Sequence, residues 1–364
     1  MSFIALAFPE VGARLSEPAG ILSGSERRSV RDEATVEERG PQQQAALAKI
    51  ALGQIDVAAR STVITQRSTT HALCVTHIGS ELEIAAECRS WNMVEVEWAR
   101  LKAHELRALA EKDAVVILPV ASIEQHGPHL PVMTDTRIGQ EVACRAARKA
   151  YDQRPTIVTP VVWHGLSEHH MPFGGTLTLD HDTFFAVLRC LVQSVQRHGF
   201  QNVLISNSHG GNIIAMQMAA ERLAMETGTT IVATTYVAEA GDEITKLLRN
   251  QPRIMHACEG ETAMMLALTP ELVDTSELDA IAVERGPGVL SAGKASFRWR
   301  SFTHGTGNGV SGDPANADAQ QGEALLEAAS QAVADLITDA DVWAPMQDLR
   351  SGDTKGIAFR DSKN

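Results

Sequence analysis

VVILPVASIEQHGPHLPVMTD, residues 115–135, is the stretch whose reading decides the fold and locates the chemistry. Val115, Val116, Ile117 and Leu118 form an apolar, β-branched run of strand length. They lead into a loop that holds Glu124, His126, His129 and Asp135, stiffened by Gly127, Pro128 and Pro131. In extended backbone, residues two apart project to the same side. Glu124 and His126 are therefore expected together, with Asp135 returning after a proline-bounded turn. Carboxylates mixed with imidazoles suit a borderline divalent ion such as zinc, manganese or iron. Alone, the same stretch also reads as a polar loop of solvated histidines, so the decision rests on what the chain places beside it.

Outward from this stretch the elements alternate. A helix is predicted over 99–112, the strand at 115, then a helix over 138–151, a strand over 156–163, and a helix over 183–198 closed by Gly199. A strand over 202–206, a helix over 213–227, a strand over 230–237 and a helix over 261–268 before Pro270 continue the series. An alanine-rich helix over 314–337 follows Gly312 and Asp313, with Pro314 at its first position. This order predicts an α/β protein with a mainly parallel sheet covered on both faces, and ligands in such folds gather beyond the carboxyl ends of the strands. Three more polar clusters fall at those ends: WHGLSEHHMPFGGT at 163–176, SNSHGGN at 206–212 and MHACEGET at 255–262.

The totals narrow the function. A chain of 364 residues, 44% hydrophobic and 21% charged, can bury a large core as one α/β domain or as two smaller ones. A formal net charge of -13 argues against nucleic acid or an anionic membrane as partner, since both reward clustered Lys and Arg. A small-molecule or peptide substrate is expected. Cys74, Cys88, Cys144, Cys190 and Cys258 stand singly, which favours a reducing, cytoplasmic setting over a disulfide framework. No apolar run approaches the ~20 residues of a membrane span, and residues 3–8 lack the basic leader of a secretory signal. Residues 1–92 are charged and turn-rich, and are expected to be a poorly structured N-terminal extension or the product of an over-extended gene start. Within them, 45–59 reads as a possible amphipathic helix and 72–86 as a strand pair. The catalytic domain is expected over 93–345, with a polar tail over 346–364.

The four clusters, together with GVSGDPANADAQQGE at 309–323, resemble the creatininase (creatinine amidohydrolase) family of metal-dependent hydrolases over roughly residues 95–337. The motifs that carry it are EQHGPHLP with Asp135, HGLSEHH followed by PFGGT, SNSHGGN and HACEGET, in that order. The resemblance implies a three-layer αβα sandwich that assembles as a homohexamer and binds two divalent metals per chain to hydrolyse cyclic or linear amides. Carried onto this sequence, it implies Glu124 and His209 at one metal, His126 and Glu261 at the other, Asp135 between them, and His256 as the catalytic histidine. Two metals lower the pKa of a shared water and polarise the carbonyl, while an imidazole such as His256 suits protonation of the leaving nitrogen. Glu259 is expected to orient His256 or a ligand. Asn207 and Asn212 are expected to hold substrate or the His209 loop, and His169 and His170 to lie near the pocket mouth.

The sequence departs from the family member that acts on creatinine. That member has a glutamate where Gly211 stands, and tryptophans between the motifs holding His209 and His256, where this chain has none. The HGGN form resembles relatives that cleave other amides, including formamide hydrolases and a peptidase that trims a redox-cofactor precursor. Creatinine is therefore not the expected substrate, and a metal-binding protein without turnover is the alternative from another class. A serine hydrolase through Ser167, Ser206 or Ser208 is weaker, because no G-x-S-x-G elbow exists.

Overall fold

The computed structural model describes residues 94–276, 278–281 and 297–346, together with four short strands between 66 and 83. The chain divides into two units, Met1–Ser90 and Trp91–Asn364. In the first, Gln66–Arg67 pairs antiparallel with Ala72–Leu73, and Thr76–Ile78 with Glu81–Glu83. The second of these pairs falls within the strand pair predicted over 72–86. The expected helix over 45–59, the remainder of the N-terminal extension and the tail from 347 lie outside the described residues.

The second unit is built on four parallel strands: β1 (Val115–Val120), β2 (Thr156–Val158), β3 (Asn202–Asn207) and β4 (Thr230–Thr235). Their order in the sheet is β2-β1-β3-β4. Around them lie α1 (Ala103–Ala110), α2 (Thr134–Ala150), α3 (His181–Arg197), α4 (Ile213–Thr227), α5 (Gly241–Leu247), α6 (Glu259–Leu268) and α7 (Ala319–Thr338). Every residue of β1 and β3 is buried, as a parallel sheet covered on both faces requires. Their side chains divide by alternation: Val115, Ile117 and Leu204 enter a core with α2, α6 and α7, while Val116, Leu118, Val203 and Ile205 enter one with α3 and α4. The result is a three-layer αβα arrangement.

Several predicted boundaries move, three of them for a clear local reason. The second strand ends at Val158 and not at 163. Beyond it the chain leaves the ladder and keeps to β1 through Thr159 N on the Ile117 carbonyl at 2.9 Å and a bridge between Val120 and Val162. Helix α2 begins at Thr134, so Asp135 sits in a first helical turn and not in a loop, where the helix dipole favours a carboxylate. Helix α7 starts at Ala319, not at Pro314. Asp313 takes the Ala315 N–H in a turn, Asn316 adopts φ +61°, and Asp318 caps the helix by accepting from Gln321 N at 2.7 Å.

Candidate metal centre and active site

Strand β1 is flanked by β2 on one side and β3 on the other, so the connections leaving β1 and β3 diverge and open a crevice at their carboxyl ends. The polar clusters meet there. Glu124 and His126 leave β1, His209 leaves β3, Asp135 enters from α2, Glu261 from α6, and His256 from the turn before α6. Glu124, His126, Asp135 and His209 are all almost wholly inaccessible, between 0% and 4%.

The hydrogen bonds behind each imidazole define which nitrogen faces the centre. His126 Nδ1 donates to the Glu124 main-chain carbonyl at 3.0 Å. Its Nε2 therefore faces inward, 3.3 Å from Asp135 Oδ1 and 3.9 Å from Glu261 Oε2. His209 Nε2 lies 3.2 Å from the Leu166 carbonyl and 3.2 Å from Ser167 Oγ. Its Nδ1 then faces Glu124 Oε2 at 3.0 Å and Asp135 Oδ2 at 3.1 Å. An acceptor behind the ring and an inward-facing nitrogen is how metal-ligating histidines are held.

The charges press on one another. Burial works against ionising Glu124, but His209 and His170 outweigh it and hold its carboxyl well below the ordinary range. Burial also opposes a charge on His126, yet Asp135 and then Glu261 raise it to about 10. Burial lifts Glu261 to about 7, although His126 pulls the other way. His256 is pushed down by burial and by the neighbouring His126 and His170.

This donor set fits divalent metal. His126 Nε2 and Asp135 Oδ2 are buried without an aligned hydrogen bond among the described residues, and such an atom costs about 1–3 kcal/mol if left unsatisfied. Glu124, Asp135 and His209 bring ligand atoms within 4.8 Å of one another, as do His126, His256 and Glu261. Asp135 contacts an inward-facing histidine with each of its oxygens, which suits a bridging carboxylate. Zinc, manganese and iron all accept such mixed ligands.

The remaining expected residues divide by their contacts. Glu259 does not orient His256. It is fully buried, accepting from the Arg249 and Asn250 main-chain N–H groups at 2.8 Å each and from Gln321 Nε2. Asn207 and Asn212 hold the His209 loop: Asn207 Nδ2 donates to the His209 carbonyl at 2.6 Å, Asn207 Oδ1 accepts from His209 N at 3.1 Å, and Asn212 Nδ2 joins them at 3.1 Å. His169 and His170 are inside the site and not at its mouth. His170 Nε2 lies 3.2 Å from Glu124 Oε1, and the His169 ring stacks on His209 with centroids 5.6 Å apart.

Gly211 shows why the His209 loop takes the form HGGN. A Cβ there would lie 2.3 Å from His209 Nε2, 2.3 Å from the Leu166 carbonyl and 2.9 Å from His169 Cε1. The backbone leaves no room for a carboxylate at that position. Ser167 is no free nucleophile either, because its hydroxyl donates to Glu124 Oε2 at 2.7 Å.

Sequence reasoning missed Gln125, Phe302 and the strap around residues 309–311. The Gln125 amide nitrogen reaches both imidazoles, 2.8 Å from His170 Nδ1 and 3.0 Å from His256 Nε2. Phe302 walls them with ring centroids 4.4 Å and 4.8 Å away. Ser311 pairs with His256 through two main-chain hydrogen bonds of 3.2 and 2.9 Å. Only the position of Gln125, between two expected ligands, gave any signal.

An α/β protein with buried imidazoles and a shared carboxylate at its switch point is built to hold divalent metal. Comparison carries this further: the creatininase family model, creatinine amidohydrolase, matches residues 99–337, and the chain belongs to that family of hydrolases. A mycofactocin precursor peptide peptidase of Mycolicibacterium smegmatis is 31% identical over 248 residues, covering 66% of this chain and 89% of the relative. The creatinine amidohydrolase of Pseudomonas putida is 25% identical over 277 residues, covering 67% and 95%. A manganese creatininase superposes with a TM-score of 0.56 at 26% identity, over 67% of this chain and 98% of its own.

Proposed function

We propose that this protein is a metal-dependent amidohydrolase that cleaves a C–N bond in a cyclic amide, a formamide or a related small substrate other than creatinine. The observation that carries this reading is Asp135, set between two histidines whose inward-facing nitrogens it contacts with separate oxygens. Glu124 and His209 would hold one metal and His126 and Glu261 the other, with Asp135 set between the two pairs. When bound, the divalent ions activate water near neutral pH and polarise the amide carbonyl. His256 hands a proton to the departing nitrogen. Its side chain is 13% exposed while Glu124 is 1% exposed, so it is the member of the cluster that substrate reaches. Phe302 shields the imidazoles from bulk water.

A second reading is favoured by a specific observation. The mycofactocin precursor peptide peptidase is the more similar of the two curated relatives, and a peptide amide is the same bond presented on a longer chain. Formamides, cyclic amides and short peptides offered to the same zinc- or manganese-loaded protein separate the readings. Turnover of peptides alone would select the peptidase, and no turnover with metal in place would leave the non-catalytic metal-binding alternative. Metal content near two equivalents per chain is expected. Glu124→Gln and Glu261→Gln should each lose a different one, whereas His256→Ala should keep both and abolish turnover.

A homohexamer in the cytoplasm completes the proposal, supported by family membership. Helix α4 exposes Ile214, Met218 and Met225, apolar surface of the kind that sister chains cover. A monomeric mass in solution would remove this part. No helix among the described residues is long and apolar enough to cross a membrane.

A further inference from the structure

We propose that Gln125 is a positioning residue that sets the proton pattern of the two imidazoles above Glu124: its carbonyl claims the proton of His256 Nε2, and its side-chain amide commits His170 to donating. The proposal deepens the hydrolase reading and rests on it for its catalytic meaning.

His256 Nε2 is 2.8 Å from the Gln125 main-chain carbonyl, which can only accept. Nε2 therefore carries the proton, and Nδ1 is the bare nitrogen, turned toward Glu124 Oε1 at 3.5 Å. The Gln125 amide lies 3.0 Å from the same Nε2. That nitrogen is already a donor, so the amide's two hydrogens go to its other neighbours, the Gly309 carbonyl at 3.1 Å and His170 Nδ1 at 2.8 Å. The amide orientation is itself held, because Gln125 Oε1 accepts from Gly127 N at 2.9 Å. Since His170 Nδ1 accepts, its Nε2 is the protonated nitrogen and donates toward Glu124 Oε1, 3.2 Å away.

Two consequences follow. Glu124, His170 and His256 bring ligand atoms within 4.8 Å of one another, but His170 turns an N–H to this cluster and so offers no lone pair to an ion. His170 braces Glu124 through that hydrogen bond, and the trio is not a third metal site. Second, the working nitrogen of His256 is Nδ1. It takes a proton from the attacking water and passes it to the departing nitrogen, so the proton balance closes on one atom. The strap enters through Gly309, whose φ is +81°. A Cβ there would collide with Gln125 Oε1 at 2.0 Å, so the seat of the strap and the orientation of the amide are coupled.

Neutron diffraction from deuterium-exchanged crystals of the zinc-loaded protein reads this pattern without any substrate. Deuterium is expected on Nε2 and not on Nδ1 of both His256 and His170. Deuterium on either Nδ1 in the unaltered protein would overturn the proposal. In Gln125→Glu the carboxylate has no hydrogen to give, so His170 should gain deuterium on Nδ1 while His256, bonded to the main chain, keeps its pattern. An unchanged His170 would also overturn the assignment. Gly309→Ala displaces the amide without changing its chemistry and should disturb His170 in the same crystals; an undisturbed His170 there would refute the coupling. With an amide substrate in hand, Gln125→Met should lower kcat about 10- to 100-fold, the range of lost partners behind metal ligands, with KM little changed. Failure of every substrate while the deuterium pattern stands would count against the hydrolase reading alone.

Discussion

Asp135 and Gly211 show how tightly single residues are specified here. That Asp135 returns beside His126 was legible from the proline-bounded turn, though its place in a helix was not. Gly211 was legible only as a departure from a motif. The reason for glycine is the crowding by Leu166 and His169, residues more than forty positions upstream that no local pattern brings near. Gly211→Ala forces His209 or the Leu166 carbonyl to move. We expect a stability loss of about 1–3 kcal/mol, the usual cost of overpacking, together with weaker zinc binding at the site held by His209. Calorimetric zinc titration beside thermal melting checks both. Retention of both would mean that the loop yields more easily than its contacts indicate.

At the scale of elements, the strands and the long helices were visible in the sequence because their apolar periods are strong. Helix α4 was predicted at the bounds it adopts, Ile213–Thr227. What the sequence could not show was how α6 is anchored. Glu259 and Glu261 share its first turn and both are buried, but they face different structures. Glu261 takes the Ala257 N–H at 2.6 Å beside the metal centre, while Glu259 ties the 249–250 segment and α7 to the same helix. Two acidic residues two positions apart in a first turn look alike in sequence, and only the tertiary partners separate them. Glu259→Ala strands three donors and should cost about 3 kcal/mol or more, seen as a lower urea midpoint, with metal stoichiometry preserved. Loss of one metal equivalent in that variant would return Glu259 to the active site.

For the whole molecule, the site joins residues from 124 to 261 and exists only in the folded chain, so stability and metal binding are linked through protons. In the metal-free protein, His126 is raised from 6.5 to about 10. Its contribution is complete below 6.5 and is lost as pH rises through about 10. Glu261, raised from 4.5 to about 7, likewise contributes below 4.5 and loses its contribution as pH rises through about 7. The signs agree and the windows follow one another, Glu261 between about pH 4.5 and 7 and His126 between about 6.5 and 10, so between pH 7 and 9.5 the metal-free protein should melt at progressively lower temperature through His126. Metal binding must displace these protons, so affinity should rise over the same interval and excess zinc should flatten or reverse the trend. Melting curves with EDTA and with zinc test it; a metal-free melting temperature that climbs with pH would contradict the charge arrangement.

Ala257 lies between His256 and the helix that carries Glu261, and its φ of +51° places it in the left-handed region, which costs an alanine roughly 1–2 kcal/mol. Glycine would remove that strain but would also loosen the chain, at roughly 0.5–1 kcal/mol, so the two residues would fold with similar ease. What alanine adds is a stiff joint. His256 and the helix that carries Glu261 cannot swing independently, and fitting this scaffold to a group of different size would have to proceed through Phe302 or the strap over His256, which can be rebuilt without moving that helix.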